Sequence, residues 1–243
     1  SQTKIAEIND EKFSKILYSS RTDLLEDSKG RVWWASPFGL AVSFVKPNHF
    51  TPHFNSDKDK YSARAIVEKD SFVYVSTESK GILKINTRTK SSLVLNNSRN
   101  FSGIPLIKHN NYLFSGRGGL IFKLGLTDNG VKLNQKIKIK DKFIWSFLAR
   151  NDSLLYYGTS LGLSSVNLST LEHSDLCHGL GNVYQIVKTD DGMLWICSAT
   201  GLHLFNISAN KIEVSIGQNQ TLHIPAQEVY TVHTNSGKLW LGT

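Results

Sequence analysis

The chain has 243 residues, of which 40% are hydrophobic, so it has enough apolar material to bury one sizeable core. No run of about eighteen apolar residues occurs, which excludes a membrane-spanning helix within this sequence. The polar opening residues SQTKIAEINDEKF argue against an uncleaved signal peptide.

A motif of one apolar, one aromatic, one apolar and then small or hydroxyl residues recurs along the chain. Its aromatic residue returns every 39 to 45 residues, at Trp33, Tyr74, Phe114, Tyr156, Trp195 and Trp240. Four short strands in about forty residues are the content of one propeller blade. The sequence therefore predicts an all-β fold, a β-propeller of six four-stranded blades of about 41 residues each, in a single domain over residues 1–243.

Each copy of the motif has the flanking signals of short antiparallel strands. A polar turn such as Asp190-Asp191-Gly192 precedes it, and a pair such as Gly201-Leu202 opens a third strand after it. We expect the recurring aromatic residue to pack between blades rather than to bind sugar. The small residue two positions later, for example Gly158, is expected to let the next sheet approach closely.

The sequence pattern indicates that the two ends of the chain each supply half of one blade. The sixth copy stops at Thr243, before a third strand, whereas residues 1–17 resemble the third and fourth strands of other copies. We expect residues 1–17 to complete the last blade, because such a closure leaves no open sheet edge. The alternative is a fragment of a seven-bladed propeller.

The net charge of +8 suggests nucleic acid as a possible partner, but the positions of the lysines favour a role in protecting a sheet edge. Four of them surround Ile137 and Ile139 and fall largely on one face of a strand: Lys132, Lys136, Lys138 and Lys140. Lysines on an exposed strand prevent edge-to-edge aggregation. We therefore expect no nucleic-acid partner.

One copy carries a family resemblance. Residues 191–205 read Asp-Gly-x-Leu-Trp-Ile-x-Ser-x-x-Gly-Leu-x-x-Phe, which resembles the two-component regulator propeller repeat. The segment from His178 to Val183 is similar to the inter-blade segment of that family, with His178 in place of the usual Asp. Copies 22–44 and 229–243 match well, whereas copies 63–85 and 104–124 are degenerate.

The resemblance implies a function and a location. Proteins with these repeats are typically bacterial transmembrane sensors in which the propeller lies in the periplasm and is followed by an immunoglobulin-like domain, a membrane helix and a histidine kinase or diguanylate cyclase. Many of the kinase type sense oligosaccharides. The implied partners are a small-molecule or oligosaccharide ligand, downstream signalling domains of a membrane-anchored parent and a second copy in a homodimer.

Candidate ligand-binding residues fall at one recurring position and at one rim. Trp145, Tyr184 and Tyr230 each follow the first apolar residue of an innermost strand, and Arg64 is their equivalent in the second copy. Aromatic rings and arginine suit sugars or carboxylates, although packing between blades is the competing interpretation. Rim loops add a second set of candidates: Arg117, His178 and Asn182.

No catalytic or metal-binding motif is recognisable. His49 and His53 are four residues apart, but Pro47 and Pro52 oppose a helix that would align them, and the other histidines lack ligand spacing. Cys177 and Cys197 form no CxxC pair, and we favour two free thiols. The sequence predicts no metal, no cofactor and no catalytic residue.

Three functions follow from these features. The favoured one is a ligand-sensing propeller of a bacterial signalling receptor, not itself an enzyme. The second is a glycan-processing hydrolase or lyase, which needs several ionisable side chains converging at the axis. The third is a protein-interaction scaffold, which needs a flat apolar rim.

Overall fold

The computed structural model describes residues 23–29, 31–37, 39–43, 50–53, 55–56, 59–60, 62–78, 80–139, 143–217, 222–224, 227–235 and 238–243. The described residues form β-strands joined by turns, and they contain no helix that is long and apolar enough to cross a membrane. The chain divides into two compact units. Unit 1 contains Ser1–Gly103 with Asp128–Gly130, and unit 2 contains Ile104–Thr127 with Val131–Thr243.

Unit 1 contains two four-stranded antiparallel sheets and one short hairpin. The first sheet is β1 (Asp23–Glu26), β2 (Val32–Ser36), β3 (Gly39–Ser43) and β4 (Phe50–His53). The hairpin is β5 (Asn55–Ser56) and β6 (Asp59–Lys60). The second sheet is β7 (Ala63–Lys69), β8 (Phe72–Thr77), β9 (Ile82–Asn86) and β10 (Ser92–Val94).

Unit 2 repeats this plan. Its first sheet is β11 (Leu106–His109), β12 (Tyr112–Arg117), β13 (Leu120–Leu126) and β14 (Val131–Lys138). Its second sheet is β15 (Ile144–Ala149), β16 (Leu154–Thr159), β17 (Gly162–Asn167) and β18 (His173–His178). The third is β19 (Val183–Lys188), β20 (Leu194–Ser198), β21 (Gly201–Asn206), β22 (Lys211–Gly217) and a parallel fifth strand, β23 (Leu222–His223). The last sheet pairs β24 (Thr231–Asn235) with β25 (Lys238–Gly242).

The predicted all-β class and the predicted four-stranded units are confirmed. Four sheets have four strands in sequence order, and the β19–β23 sheet begins with four strands in that order. The count of six blades and the seven-bladed alternative depend on how the last blade is completed, and the single domain is likewise not tested. Residues 1–17 lie outside the described residues, so these statements stay predictions.

The recurring aromatic residues form the contacts between successive sheets. Trp33 lies in one core cluster with Ile66 and Val75 of the second sheet, and Tyr156 lies in another with Val183 and Ile186 of the β19–β23 sheet. The aromatic residues at the motif position are fully or almost fully buried in four copies: Trp33, Tyr74, Phe114 and Tyr156. Core packing, rather than sugar stacking, is therefore confirmed at Trp33.

The last two copies depart from this burial. Trp195 is half-buried against the cluster that includes Val229 and Val232, and Trp240 is 51% exposed. Among the described residues β25 pairs only with β24, and residues 1–17, which we expect to complete this sheet, lie outside the described residues. The core position expected for Trp240 is therefore not confirmed.

The small residue of the motif lets the next sheet approach, as predicted. A Cβ atom added to Gly158 would lie 2.6 Å from both Cγ1 and the carbonyl oxygen of Val183, on the first strand of the following sheet. A Cβ atom added to Gly116 would similarly lie 3.1 Å from the Cβ atom of Ile144, on the first strand of the sheet that follows. Because a real Cβ essentially never lies under 3.0 Å from another heavy atom, glycine at position 158 is required by this packing.

The lysines of β14 lie on an outermost strand. β14 pairs with β13 at the end of its sheet, and Lys132, Lys136 and Lys138 are exposed there. Lys140 lies outside the described residues. The placement agrees with protection of a sheet edge.

A buried ion pair closes the first hairpin of unit 1. Both Nε of Arg31 and Nε1 of Trp33 donate to Oδ2 of Asp27, at 2.6 and 2.9 Å, and the Asp27 side chain is fully buried. Burial raises the pKa of Asp27, but hydrogen bonds from the side chains of Arg31 and Trp33 and from the backbone N–H groups of Arg31 and Lys29 outweigh it. The pKa of Asp27 therefore falls from 3.8 to about 2.

Substitution of Asp27→Asn is expected to lower the free energy of unfolding by about 3 kcal/mol, because it leaves the buried guanidinium of Arg31 without its counter-charge. Since the folded pKa is depressed, the contribution of Asp27 is present above pH 3.8 and is lost as pH falls towards 2. Urea denaturation at neutral and acidic pH measures both effects. Asp190→Asn, at an exposed turn, is the control, and equal unfolding midpoints for the two variants would contradict the role of Asp27.

Substitution of Gly158→Ala is expected to lower the free energy of unfolding by about 1–3 kcal/mol, because the new methyl group must displace Val183 or Oγ of Ser146. Thermal and urea denaturation measure the change. Ser153→Ala, at an exposed turn of the same sheet, should change stability by less than about 0.5 kcal/mol. A Gly158→Ala protein as stable as the Ser153→Ala protein would show that the two sheets do not pack closely here.

Candidate functional site

A β-bulge marks the first strand of three sheets, and each bulge holds a residue that the sequence singled out. The pairing of β15 with β16 passes from Ile144 to Ser146 and skips Trp145. In the same way β19 skips Tyr184, and in unit 1 β7 skips Arg64. A bulged residue is released from the ladder and its side chain is re-aimed. The recurring position that Trp145, Tyr184 and Arg64 share in three copies of the motif is therefore one at which the backbone departs from regular strand pairing.

At three strand entries of unit 2, two side chains flank one buried residue. In unit 2, Val183 is fully buried between Asn182 and Tyr184, and Val229 is fully buried between Glu228 and Tyr230. The same arrangement recurs at the start of β15, where Phe143 and Trp145 flank a buried Ile144. In all three entries the flanking side chains are more exposed than the residue between them. These entries thus offer pairs of side chains that the core does not fully bury.

These pairs form a continuous aromatic row in unit 2, made of Phe143, Trp145, Tyr184 and Tyr230. The centroids of Phe143 and Trp145 are 6.4 Å apart, those of Trp145 and Tyr184 are 5.8 Å apart, and those of Tyr184 and Tyr230 are 4.8 Å apart. The interplanar angles of 29°, 78° and 44° describe an offset stack, an edge contact and a tilted contact. The row thus joins rings from three successive strand entries.

The carboxylate of Glu228 lies at one end of the aromatic row. Oε2 of Glu228 accepts hydrogen bonds from the hydroxyl groups of Tyr230, at 2.5 Å, and Tyr184, at 3.2 Å. The Tyr184 hydroxyl also accepts a longer bond from Nδ2 of Asn182, at 3.4 Å. Hydrogen bonds to a charged group are the stronger kind, so Glu228 orients both phenol rings.

Side-chain hydrogen bonds between sheets hold the strands that carry the row. Oγ of Ser146, the residue after Trp145, donates to the carbonyl oxygen of Val183 at 2.8 Å. Oε1 of Gln185, the residue after Tyr184, accepts from the backbone N–H of Val232 at 2.7 Å. In unit 2 each of the two bulges is thereby followed by a residue that ties its strand to the next sheet, which fixes the spacing of the rings.

The rings of the aromatic row are partly exposed to solvent. Trp145, Tyr184 and Tyr230 are partly buried, and Phe143 is 55% exposed. A row of half-buried rings beside one carboxylate and one amide combines an apolar surface with a few placed polar groups. This combination is typical of small-molecule sites.

The structure gathers four of the seven predicted site residues. Trp145, Tyr184, Tyr230 and Asn182 lie together in unit 2, whereas Arg64 belongs to unit 1. His178 is exposed on β18, at the opposite edge of its sheet from β15, and no described side-chain contact joins it to the row.

Arg117 stands where other copies carry a hydroxyl group that closes a turn. Oγ1 of Thr77 donates to the carbonyl oxygen of Gly81 at 2.7 Å, and Oγ of Ser198 donates to that of Gly201 at 3.1 Å. Arg117 ends β12 beside Gly118 and Gly119, both with positive φ, and it is exposed. Two glycines form this turn without a hydroxyl group.

Glu228 and Phe143 belong to the site but were not predicted. Both lie two residues before a predicted aromatic residue, as Asn182 does. The recurring pattern of a flanking residue, an apolar residue and then an aromatic residue could have identified them. The pattern was missed because its first member changes chemical type from copy to copy.

His203, Cys177 and Cys197 do not form a catalytic or metal-binding group among the described residues. His203 is buried, hydrogen-bonded to Thr200 and Ser215, and burial lowers its pKa from 6.5 to about 4. Cys177 and Cys197 are free, and burial raises the pKa of both thiols. Within the described residues no three His, Cys, Asp or Glu side chains are grouped so that they could hold a metal ion.

Comparisons with known proteins identify structural relatives only. No family model and no curated protein sequence matches the chain. The extracellular domain of a hybrid two-component system from B. thetaiotaomicron superimposes with a TM-score of 0.68 at 15% identity, over 93% of this chain and 37% of its own. Virginiamycin B lyase from Staphylococcus aureus gives 0.66 at 14% identity, over 90% of this chain and 75% of its own.

A third match is the WD40 β-propeller domain of Doa1, with a TM-score of 0.65 at 12% identity over 90% of this chain and 74% of its own. At these identities the matches establish the fold, an all-β propeller-like arrangement of four-stranded blades. The two-component extracellular domain agrees with the family that the repeat motif resembles. The chain spans little more than a third of that domain.

Proposed function

We propose that this chain is the ligand-sensing propeller of a bacterial signalling receptor and that it binds an oligosaccharide along the aromatic row. The observation that carries the proposal is the continuity of the row, in which Trp145, Tyr184 and Tyr230 come from three successive strand entries beside Glu228. The C–H faces of sugar rings pack against aromatic rings, and sugar hydroxyl groups donate to carboxylates. A chain of linked sugars matches a surface that repeats from blade to blade.

The extracytoplasmic location and the receptor architecture belong to the same proposal. They are supported by the repeat motif and by the structural match to the extracellular domain of a two-component system. In this proposal the propeller has six blades, residues 1–17 add two strands to β24 and β25, and the parent protein is membrane-anchored and periplasmic at this domain. Ligand binding would signal by favouring one arrangement of a homodimer or of downstream domains, which requires unequal affinity for two states.

Binding should depend on the rings of the aromatic row. We expect cellulose-, xylan- or mannan-derived oligosaccharides to raise the melting temperature of the wild-type protein, because a ligand of the folded state stabilises it. Trp145→Ala and Tyr184→Ala should each weaken binding about tenfold or more, since each removes a stacking surface. Thermal shift and titration calorimetry measure the change.

Trp240→Phe is the matched control, because Trp240 is an exposed tryptophan outside the row. It should bind as the wild type does. The proposal fails if no oligosaccharide shifts the melting temperature, or if Trp145→Ala and Tyr184→Ala bind the shifting oligosaccharide with wild-type affinity while remaining folded by circular dichroism.

A glycan-processing enzyme is the second candidate, because the match to virginiamycin B lyase shows that this fold also occurs in an enzyme. Glycoside hydrolysis ordinarily uses a pair of carboxyl groups. In the described part of the aromatic row, Glu228 is the carboxylate, and its oxygen is already hydrogen-bonded to two tyrosines. This arrangement suits the orientation of rings better than proton transfer.

Incubation of the protein with the oligosaccharides that bind should therefore give no cleavage product. Mass spectrometry detects shortened chains, and ultraviolet absorbance detects the unsaturated ends that a lyase makes. The Glu228→Gln protein is the paired sample. A product that forms with the wild-type protein and disappears with Glu228→Gln would replace the sensing proposal by the enzymatic one.

A further inference from the structure

The guanidinium group of Arg64 is buried in unit 1 with much of its hydrogen-bonding capacity unused. Its side chain is only 9% exposed, and its Nη2 forms an ion pair with Oε2 of Glu78 at 2.7 Å. Its Nε and Nη1 are buried and have no hydrogen-bond partner in the described part of the chain. A buried donor on a charged group is costly when it lacks an acceptor.

A second buried polar atom without a hydrogen-bond partner among the described residues lies two residues before Arg64. Oγ of Ser62 is buried without a hydrogen-bond partner among the described residues. The carbonyl oxygen of Ser62 accepts from the backbone N–H of Glu78 at 3.0 Å, so the entry of β7 and the end of β8 are joined at this point. Ser62, Arg64 and Glu78 therefore meet at one end of the β7–β10 sheet.

Ser62 and Arg64 occupy the two positions that carry the aromatic row in unit 2. They flank the buried Ala63, as Asn182 and Tyr184 flank Val183, and Arg64 is the bulged residue of its strand as Tyr184 is of its own. The backbone thus presents the same pair of positions in both units. In unit 1 the pair consists of a hydroxyl group and a cation instead of an amide and a phenol.

We propose that Ser62 and Arg64 form an anion-binding site for a carboxylate or sulfate group of a small-molecule ligand. The oxygens of such a group would accept hydrogen bonds from the unused nitrogens of Arg64 and from the hydroxyl group of Ser62. The side chain of Glu78 is 58% exposed and competes with the ligand for the guanidinium. The proposal stands on unit 1 alone and does not depend on sugar binding at the aromatic row.

Titration calorimetry of the full chain at constant ionic strength tests the proposal with sodium D-glucuronate and sodium sulfate as probes and D-glucose as the uncharged control. We expect at least one anion to bind, and Arg64→Gln to weaken its binding about tenfold or more through loss of charge-assisted hydrogen bonds. Glu78→Gln should strengthen binding several-fold because it removes the competing carboxylate. Binding of glucuronate alone, sulfate alone or both identifies the group that the site accepts.

Trp145→Ala separates this site from the aromatic row, since it should leave the anion affinity unchanged while it weakens any binding of D-glucose. The proposal is overturned if neither anion binds the wild-type or the Glu78→Gln protein. It is also overturned if a folded Arg64→Gln protein binds the anions as tightly as the wild type. The Glu78→Gln result keeps the test decisive if Arg64→Gln does not fold, because unchanged anion affinity in Glu78→Gln would also contradict the proposal.

Discussion

Within each unit, the packing of an aromatic ring of one sheet against the first strand of the next sheet is the contact on which the core depends. A four-stranded sheet of this size exposes two faces and cannot bury both by itself. Trp33, Phe114 and Tyr156 provide the bulk that fills the space between sheets, and Gly158 provides the room for the next strand to approach. Bulk and space are both required, because interiors are close-packed and neither gaps nor overlaps are tolerated.

The same contact determines where a binding surface can form. A first strand that is packed tightly on the preceding sheet has one side committed to the core, as the complete burial of Val183 and Val229 shows. The residues on either side of each buried position must then face away from the core. The bulges at Trp145 and Tyr184 turn these side chains further from the ladder, so the aromatic row is a direct consequence of how the sheets stack.

Chemical diversity is introduced at the flanking positions without any change of backbone. Asn182 and Glu228 occupy equivalent places before the buried residue, and Ser62 occupies that place in unit 1, where Arg64 replaces the aromatic residue. The buried residues between them stay apolar, since they serve the core. A repeat scaffold can in this way vary its ligand chemistry from blade to blade while its packing is preserved.

The sequence alone determined the repeat, the strand class and the position of the rings. The period of the motif is a local property that each copy displays, so Trp33 could be assigned to the core and Trp145 and Tyr184 to a separate recurring position. The tertiary structure decided that Tyr184 and Tyr230 share Glu228, that His178 lies at the far edge of its sheet, and that Arg64 keeps unused donors. These facts depend on distances between residues that are remote in the chain, and the periodicity of a sequence contains no information about such distances.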